Sequence, residues 1–365
     1  MKVGIITFHA AHNYGSMLLS FALQEAIQRL GHDAKIINLR IPVQNLIYSY
    51  PLKFAHKIHL KAFLLHPFNF WGNCGKWRKF EAFSLRYHNL TARCQDLISV
   101  ERTIREENFD ALISGGDQIW NMQCADFSIA YYLPFNFPAV KKISYAPSFG
   151  GGGSFRVENY SSAITGLLAD FDCITVRERP AADYVTSKLN RSVDVVCDPV
   201  MLLDNNVYEA IAGANPLIKG KYIFYYSPFG SRENEQTAIE YGKRLRLPVY
   251  TSNCEYFQCR GMKKYLNAGP TEFLNLIKNA EIVCGNSFHM LAFCLLLNKN
   301  FIVLSKEDSR MENLKNRFGI KGHFYSSIQE IPTALPPVNW EEVNIMIEDE
   351  RKKGIEYLKY ALGNE

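Results

Sequence analysis

Short apolar runs that end abruptly in polar or glycine-rich residues recur along this chain, with helical periodicity between them. The run KVGIITF at 2–8 reads as a buried parallel strand that gives way to the polar loop HAAHNYGS. Leu19, Leu23, Ile27 and Leu30 then recur at helical spacing until Gly31 stops them, and AKIINL predicts the next strand. This β-α-β opening predicts an α/β fold whose ligand crevice lies beyond the carboxyl ends of the strands.

Four further runs follow the same rule: FDALISGGDQIWN, KKISYAPSFGGGG, DCITVRERPAADYV, and SVDVVCDPVMLL with its strand ending at Asp198-Pro199. Strand ends that are all polar or glycine-rich point to one site assembled from several of them. The pattern loosens over 205–220, which suits an interdomain linker. A second α/β series then begins. KYIFYYSP, LPVYTS, EIVCGNS and FIVLS read as strands, and 231–246, GPTEFLNLIKNA and FHMLAFCLLLNK as helices. The expected organisation is a Rossmann-like unit over 1–210, a second over 216–340, and a helix over 341–365 that crosses back to the first. A cleft is expected between the two units.

Composition narrows this picture. A chain of 365 residues with 47% hydrophobic and 21% charged residues is globular and long enough for two domains. The net charge of +5 is interspersed with 36 acids, and no zinc-finger, RNP or helix-turn-helix signature occurs. Nucleic acid is therefore not an expected partner, whereas an anionic small substrate is compatible. None of the nine cysteines forms a CxxC pair, so a reduced, intracellular setting without structural zinc is expected. The start MKVGIITFHA reads as a strand and not a signal peptide. The longest apolar run, Phe288 to Leu304, is broken by Asn298, Lys299 and Asn300. A cytoplasmic location is expected.

The segment 41–100 stands out as an insertion. Over 41–80 it carries Lys53, Lys57, Lys61, Lys76, Arg78 and Lys79 with no acidic residue, among aromatics and three histidines. It reads either as amphipathic helices covering the sheet or as a surface that touches a membrane-bound or lipid-linked acceptor at the inner face of the membrane.

Several strand ends carry candidate chemistry. Asn13 and Gly15 precede a helix N-terminus, where free N–H groups favour an anion or a sugar hydroxyl. A tight turn with Asn13 in a left-handed conformation and Ser16 as N-cap explains the same residues. In SGGDQIWN, Ser114, Gly115 and Gly116 let the backbone approach a ligand, and Asp117, Gln118 and Asn121 offer an acceptor or base and two amides. Trp120 could stack on a sugar or simply pack. Gly150 to Gly153 form either a flexible loop or a cradle. Arg177 can fork onto an anion or pair with Glu178 or Asp198. Asp198-Pro199 reads as mainly architectural, and Arg310 lies in a late helix. His289 follows the strand EIVC and the polar GNS, within the first turn of a helix. It therefore lies on the same carboxyl-end face as the other polar loops.

NYGSMLLSFALQ (Asn13–Gln24), SGGDQIWN (Ser114–Asn121), SYAPSFG (Ser144–Gly150), VRE (Val176–Glu178), DPVMLL (Asp198–Leu203) and NSFHM (Asn286–Met290) occur in order. Together they resemble the polysaccharide pyruvyl transferase family over roughly residues 1–325. The resemblance implies a GT-B-like architecture of two Rossmann-like domains facing across a cleft, with no metal and no other cofactor. It implies transfer of a pyruvyl group from phosphoenolpyruvate to two hydroxyls of a sugar. The acceptor would be a saccharide or a lipid-linked oligosaccharide. By the same resemblance His289 is the acid or phosphate contact and Arg177 an anion clamp. Asp117 is the candidate base. Asn13, Gly15, Gly116, Gln118, Asn121, Asn286, Ser287 and Arg310 are candidate substrate contacts. Ser287 stands where relatives often carry arginine, and Met290 where glycine is usual; Arg310 or Lys306 could compensate. Two other readings stay open: a glycosyltransferase using a nucleotide sugar, with Glu255 or Glu272 as ribose ligand, and a glycan-binding protein without catalysis.

Overall fold

A computed structural model describes residues 1–53, 63–150, 162–228, 230–253, 259–304 and 309–363, and the chain winds into two parallel sheets. The first contains β1 (Lys2–Ile6), β2 (Asp33–Ile36), β3 (Ala111–Gly115) and β4 (Lys141–Tyr145) in the order β2-β1-β3-β4. The parallel pair β5 (Thr175–Val176) and β6 (Asp194–Val195) continues the β4 edge, where Ser144 N donates to Cys173 O at 2.9 Å. The second sheet contains β7 (Ile223–Tyr226), β8 (Val249–Thr251), β9 (Lys263–Lys264), β10 (Ile282–Gly285) and β11 (Phe301–Val303) in the order β11-β10-β7-β8-β9. Strands covered on both faces must be apolar throughout. β3, β7 and β10 are accordingly buried at every residue.

Twelve named helices connect and cover the strands of the described residues. They are α1 (Tyr14–Arg29), α2 (Pro42–Ile47), α3 (Pro67–Tyr87), α4 (Leu97–Glu107), α5 (Ser162–Ala169), α6 (Arg179–Leu189), α7 (Asn205–Ala212), α8 (Arg232–Leu245), α9 (Pro270–Lys278), α10 (Phe288–Leu296), α11 (Ser309–Arg317) and α12 (Trp340–Leu362). Two of them, α1 and α10, are buried almost all round, so their apolar residues do not form a single stripe. α1 packs against β2, the 3-10 turn Pro199–Leu202, α9 and α10, and so joins the first sheet to the helices of the second. Tyr14 makes this junction specific. Its ring stacks on Phe273 at 4.4 Å, and its hydroxyl donates to the carbonyls of Ser252 and Ala268.

Two local expectations change. Over 205–220 the loosened pattern predicts a linker, but α7 forms there. Tyr208 is buried edge-on to Phe293 at 5.1 Å and donates to Val200 O at 2.7 Å, contacts that spacing alone does not reveal. The strand expected in SVDVVC is only two residues long, and the chain turns into Pro199–Leu202 with Asp198 capping Val200 N. The insertion contributes α2 and α3. α3 reaches the second half of the molecule: Lys79 pairs with Glu272 at 2.8 Å, and Lys76 Nζ donates to Asn253 Oδ1 at 3.1 Å. The C-terminal helix α12 lies against Pro199–Leu202 and α10. Its Tyr357 hydroxyl donates to Ser144 O on β4 at 2.8 Å.

Candidate functional site

The first turn of α1 is the hub of the site. Asn13 is extended, not left-handed, and is itself the N-cap: its Oδ1 accepts from Gly15 N at 2.9 Å and Ser16 N at 3.4 Å. This corrects the turn expected from sequence, in which Ser16 was the cap. It also takes up two amides that an anion bound at this helix end would use. Ser16 instead donates its hydroxyl to Asp117 Oδ2 at 2.6 Å. Gly15 faces the other sheet. A Cβ built on it would lie 2.1 Å from Nδ1 of His289, so only glycine admits the imidazole at this position.

The end of β3 supplies the second wall. Gly116, at φ +71°, lies against Leu19 of α1, where a Cβ would come within 2.6 Å of Cδ2. Asp117 follows in the left-handed region at φ 55°. Its Oδ1 accepts from Gln118 N at 2.9 Å and its carbonyl accepts from Ser148 N at 2.7 Å. Gln118 and Asn121 bond each other at 3.1 Å, and Gly150 packs onto the pair. Trp120 packs: it is fully buried, stacks on Tyr132 and donates Nε1 to Tyr131 O.

The ends of β5, β6 and β10 complete the centre. Arg177 is 3% exposed, and its Nη1 donates to Asp198 Oδ2 at 2.7 Å. The same oxygen lies 3.7 Å from Nε2 of His289. Arg177 Nε lies 3.7 Å from Glu178 Oε2, and its guanidinium sits 4.6 Å over the Phe288 ring. Ser148 Oγ donates to Glu178 Oε1 at 2.6 Å. Burial alone would lower the guanidinium's proton affinity, but Asp198, Glu178 and Asp117 outweigh it and hold the value above the ordinary one. Arg177 thus adopts the ion-paired arrangement, and its Nη2 is a buried donor with no hydrogen-bond partner among the described residues. Ser287 is the N-cap of α10, accepting from Met290 N at 3.4 Å, so the place where relatives carry arginine holds a helix cap. Asn286 lies beside it with Oδ1 buried and unbonded among the described residues.

The structure therefore brings Asn13, Gly15, Asp117, Arg177, Ser287 and His289 to one place through α1. Gln118 and Asn121 line its Gly150 side. The side chain of Arg310 and all of Lys306, Glu255 and Gly151 to Gly153 lie outside the described residues. Glu272 is not free to bind a ribose: it accepts from Gly269 N at 2.9 Å and pairs with Lys79. Asp198, which the sequence offers as mainly architectural or as a partner for Arg177, is that partner and also faces His289. One residue of the centre escapes sequence reasoning. Tyr226, at the end of β7, packs edge-on to Tyr14 at 5.4 Å. Burial, then the Asp117 carboxylate, pushes its phenol well above the ordinary value. Among the described residues no group of three or more His, Cys, Asp or Glu side chains is placed to hold a metal ion.

The profile of the family described as polysaccharide pyruvyl transferase matches residues 13–308. No curated protein sequence is significantly similar to the chain. Among solved structures, the UDP-N-acetylglucosamine 2-epimerase of Rickettsia bellii superposes with a TM-score of 0.53 at 11% identity, covering 99% of this chain and 97% of that one. The UDP-GlcNAc 2-epimerase of Neisseria meningitidis, bound to UDP-GlcNAc, gives 0.52 at 12% identity, covering 99% and 94%. AviGT4, a glycosyltransferase involved in avilamycin A biosynthesis, gives 0.51 at 10% identity, covering 100% and 98%. At these identities the likeness establishes the fold: two Rossmann-like domains in a GT-B-like arrangement.

Proposed function

The chain belongs to the polysaccharide pyruvyl transferase family, and on that premise we propose that it transfers a pyruvyl group from phosphoenolpyruvate to two hydroxyls of a surface-glycan sugar. The product is a cyclic pyruvate ketal, and inorganic phosphate is released. Protonation of the methylene carbon of phosphoenolpyruvate leaves an oxocarbenium-like centre at its neighbour. One sugar hydroxyl adds there and loses its proton. Departure of phosphate regenerates the cationic centre, and the second hydroxyl closes the ring. The enol ester's C–O bond breaks and two C–O bonds form. One hydroxyl proton restores the acid, and the other leaves with phosphate or solvent.

His289 is the residue best suited to deliver the first proton. The supporting observation is its seat: the ring is held against Gly15, and its Nε2 faces the Asp198 oxygen that also binds Arg177. An imidazolium there meets a carboxylate whose own charge is shared with a guanidinium, so the ring is oriented without being locked as an ion pair. Arg177 is in this reading an electrostatic partner of the centre. Asp117, fixed by Ser16 and Gln118, is the candidate to take a hydroxyl proton.

The acceptor is proposed to be a saccharide, presented at a membrane surface. The support is the face of the insertion: Leu64, Leu65, Phe68 and Trp71 are exposed, Phe68 at 92%, and Lys53 lies in a stretch without acids. No helix among the described residues is long and apolar enough to cross a membrane, so such contact would be peripheral. Phosphate release from phosphoenolpyruvate, measured with a panel of bacterial surface glycans, tests the reading. His289→Ala is expected to lower the rate by about 100-fold or more, the range general acids contribute. Failure of every glycan to elicit phosphate release would overturn it.

A further inference from the structure

A second concavity, with His12 in its lining, opens between the loop after β1 and the insertion. Its volume is about 140 Å³, on the scale of one sugar residue. Gln44 forms part of its lining and is only 2% exposed, yet neither its amide oxygen nor its amide nitrogen has a hydrogen-bond partner among the described residues. The amide lies beside the Asp126 carboxylate without reaching hydrogen-bond geometry. Buried polar atoms are rarely left unspent, because each costs roughly 1–3 kcal/mol. The neighbouring Ser49 hydroxyl is buried and likewise has no hydrogen-bond partner among the described residues. A polar ligand would satisfy all three atoms.

The lining also fixes the charge of that ligand. Arg40, Lys53 and Arg93 line the cavity, and no carboxylate of the described residues does. Glu81, behind the wall, accepts from Arg40 at 3.1 Å and pairs with His12 at 2.8 Å, which neutralises Arg40. With the Asp126 carboxylate beside Gln44 counted as well, Arg40, Lys53 and Arg93 outnumber Glu81 and Asp126, and the balance around the cavity is positive. The rings of Tyr48 and Trp77 supply the apolar wall, and Trp77 Nε1 is tied to Tyr48 O at 2.9 Å, so the indole is held in place. The cavity adjoins the main centre through the chain itself: His12 precedes the cap Asn13 by one residue and Gly15 by three.

We propose that this cavity is an acceptor subsite for an acidic sugar residue. The pyranose would lie against Trp77 and Tyr48, its oxyanion would face Lys53 and Arg93, and ring hydroxyls would satisfy the Gln44 amide. This assignment rests on the saccharide-acceptor reading above and adds to it the class of sugar. The oxyanion is a carboxylate or a phosphate, and the two are told apart by experiment.

The test is calorimetric titration of the full chain with galacturonic acid, galactose 6-phosphate and neutral galactose, with phosphoenolpyruvate titrated separately. At least one acid is expected to bind ten-fold or more tighter than galactose, and the tighter one identifies the oxyanion. Gln44→Leu and the exposed-site variant Arg93→Ala are each expected to weaken that binding at least five-fold and to leave phosphoenolpyruvate binding unchanged. Equal binding of galactose and both acids overturns the assignment, as does acid binding that survives both substitutions. If phosphoenolpyruvate fails to bind while the acid still binds in a Gln44-dependent way, the donor reading falls and the subsite stands. Phosphate release with a glycan but no acid binding has the opposite meaning.

Discussion

Gly15 and His289 are in direct contact, although they belong to the first turns of helices that follow different sheets. A Cβ on Gly15 would lie 2.1 Å from Nδ1 and 2.3 Å from Cγ of the imidazole. The seat of the histidine is thus built by the other half of the molecule, and any side chain at position 15 must displace the ring or separate α1 from α10.

Gly15→Ala therefore separates function from stability. Alanine favours the helix by about 1 kcal/mol relative to glycine. Overpacking against a fixed ring costs about 1–3 kcal/mol. We expect a net loss of stability of about 2 kcal/mol or less by urea unfolding. Phosphate release should fall by about 100-fold, because misplacing a reacting group by an ångström has an effect of that size. An alanine variant with wild-type turnover would show that the contact does not set the position of His289.

Asp198 is the hinge of the charge network. Its Oδ2 accepts from Arg177 at 2.7 Å with both side chains almost fully buried. Removing one member of such a pair strands the other, at a cost of about 3–5 kcal/mol, whereas replacing both with apolar groups is often neutral. We expect Asp198→Asn to be destabilising by that amount and the double variant Arg177→Met/Asp198→Leu to be less so. Unfolding free energies that simply add in the double variant would show that the two side chains are not coupled.

Two buried histidines give the fold an acid limit that is independent of the candidate chemistry. His9 bonds Asn38 Oδ1 at 3.1 Å, and burial lowers its pKa to about 4. His88 lies between Ser84 Oγ and Met17 O, and burial lowers it to about 3. Both folded values lie below the unfolded 6.5, so the unfolded chain takes up protons first. Stability is complete above pH 6.5 and is lost as pH falls towards 4 and 3, by about 1.4 kcal/mol per pH unit for each ring. The urea midpoint should drop between pH 7.5 and 5.5. In His88→Gln the slope should be shallower but not abolished, because burial lowers His9, His12 and His323 as well. A flat profile over that range would mean that the imidazoles are protonated within the fold.

Sequence periodicity locates the strands and the face on which they end, because apolar runs closed by polar loops are enough to define parallel strands. His289, Asp117 and Arg177 are candidates on that ground; the structure brings the first two to the first turn of α1 and joins Arg177 to His289 through Asp198. Local sequence does not carry the partnerships. Asp198 is 91 residues from His289 along the chain and stands beside a proline, so it reads as a strand terminus. Ser287 and Asn13 look like ligand contacts because capping residues and sugar-binding residues have the same chemistry. Which use a hydroxyl or amide serves depends on the dihedral angles of its own turn. α7 was missed for a similar reason: Tyr208 earns its burial from Phe293, a residue of the second half.

The exposed apolar face of the insertion leads to the last expectation. Phe68 is 92% exposed and Trp71 52%, on α3, and 41–80 carries six lysines and arginines with no acid. Apolar side chains flanked by cations partition into the interface of anionic bilayers, and each contributes separately. The full chain should cosediment with vesicles of phosphatidylglycerol, and less so with phosphatidylcholine or at high salt. Phe68→Ser/Trp71→Ser should reduce the bound fraction at least five-fold while leaving the unfolding midpoint nearly unchanged, since neither ring is in the core. Phosphate release with a soluble acceptor should also be preserved in this variant. Vesicle binding that is unaffected by the double substitution would place any membrane contact elsewhere on the protein.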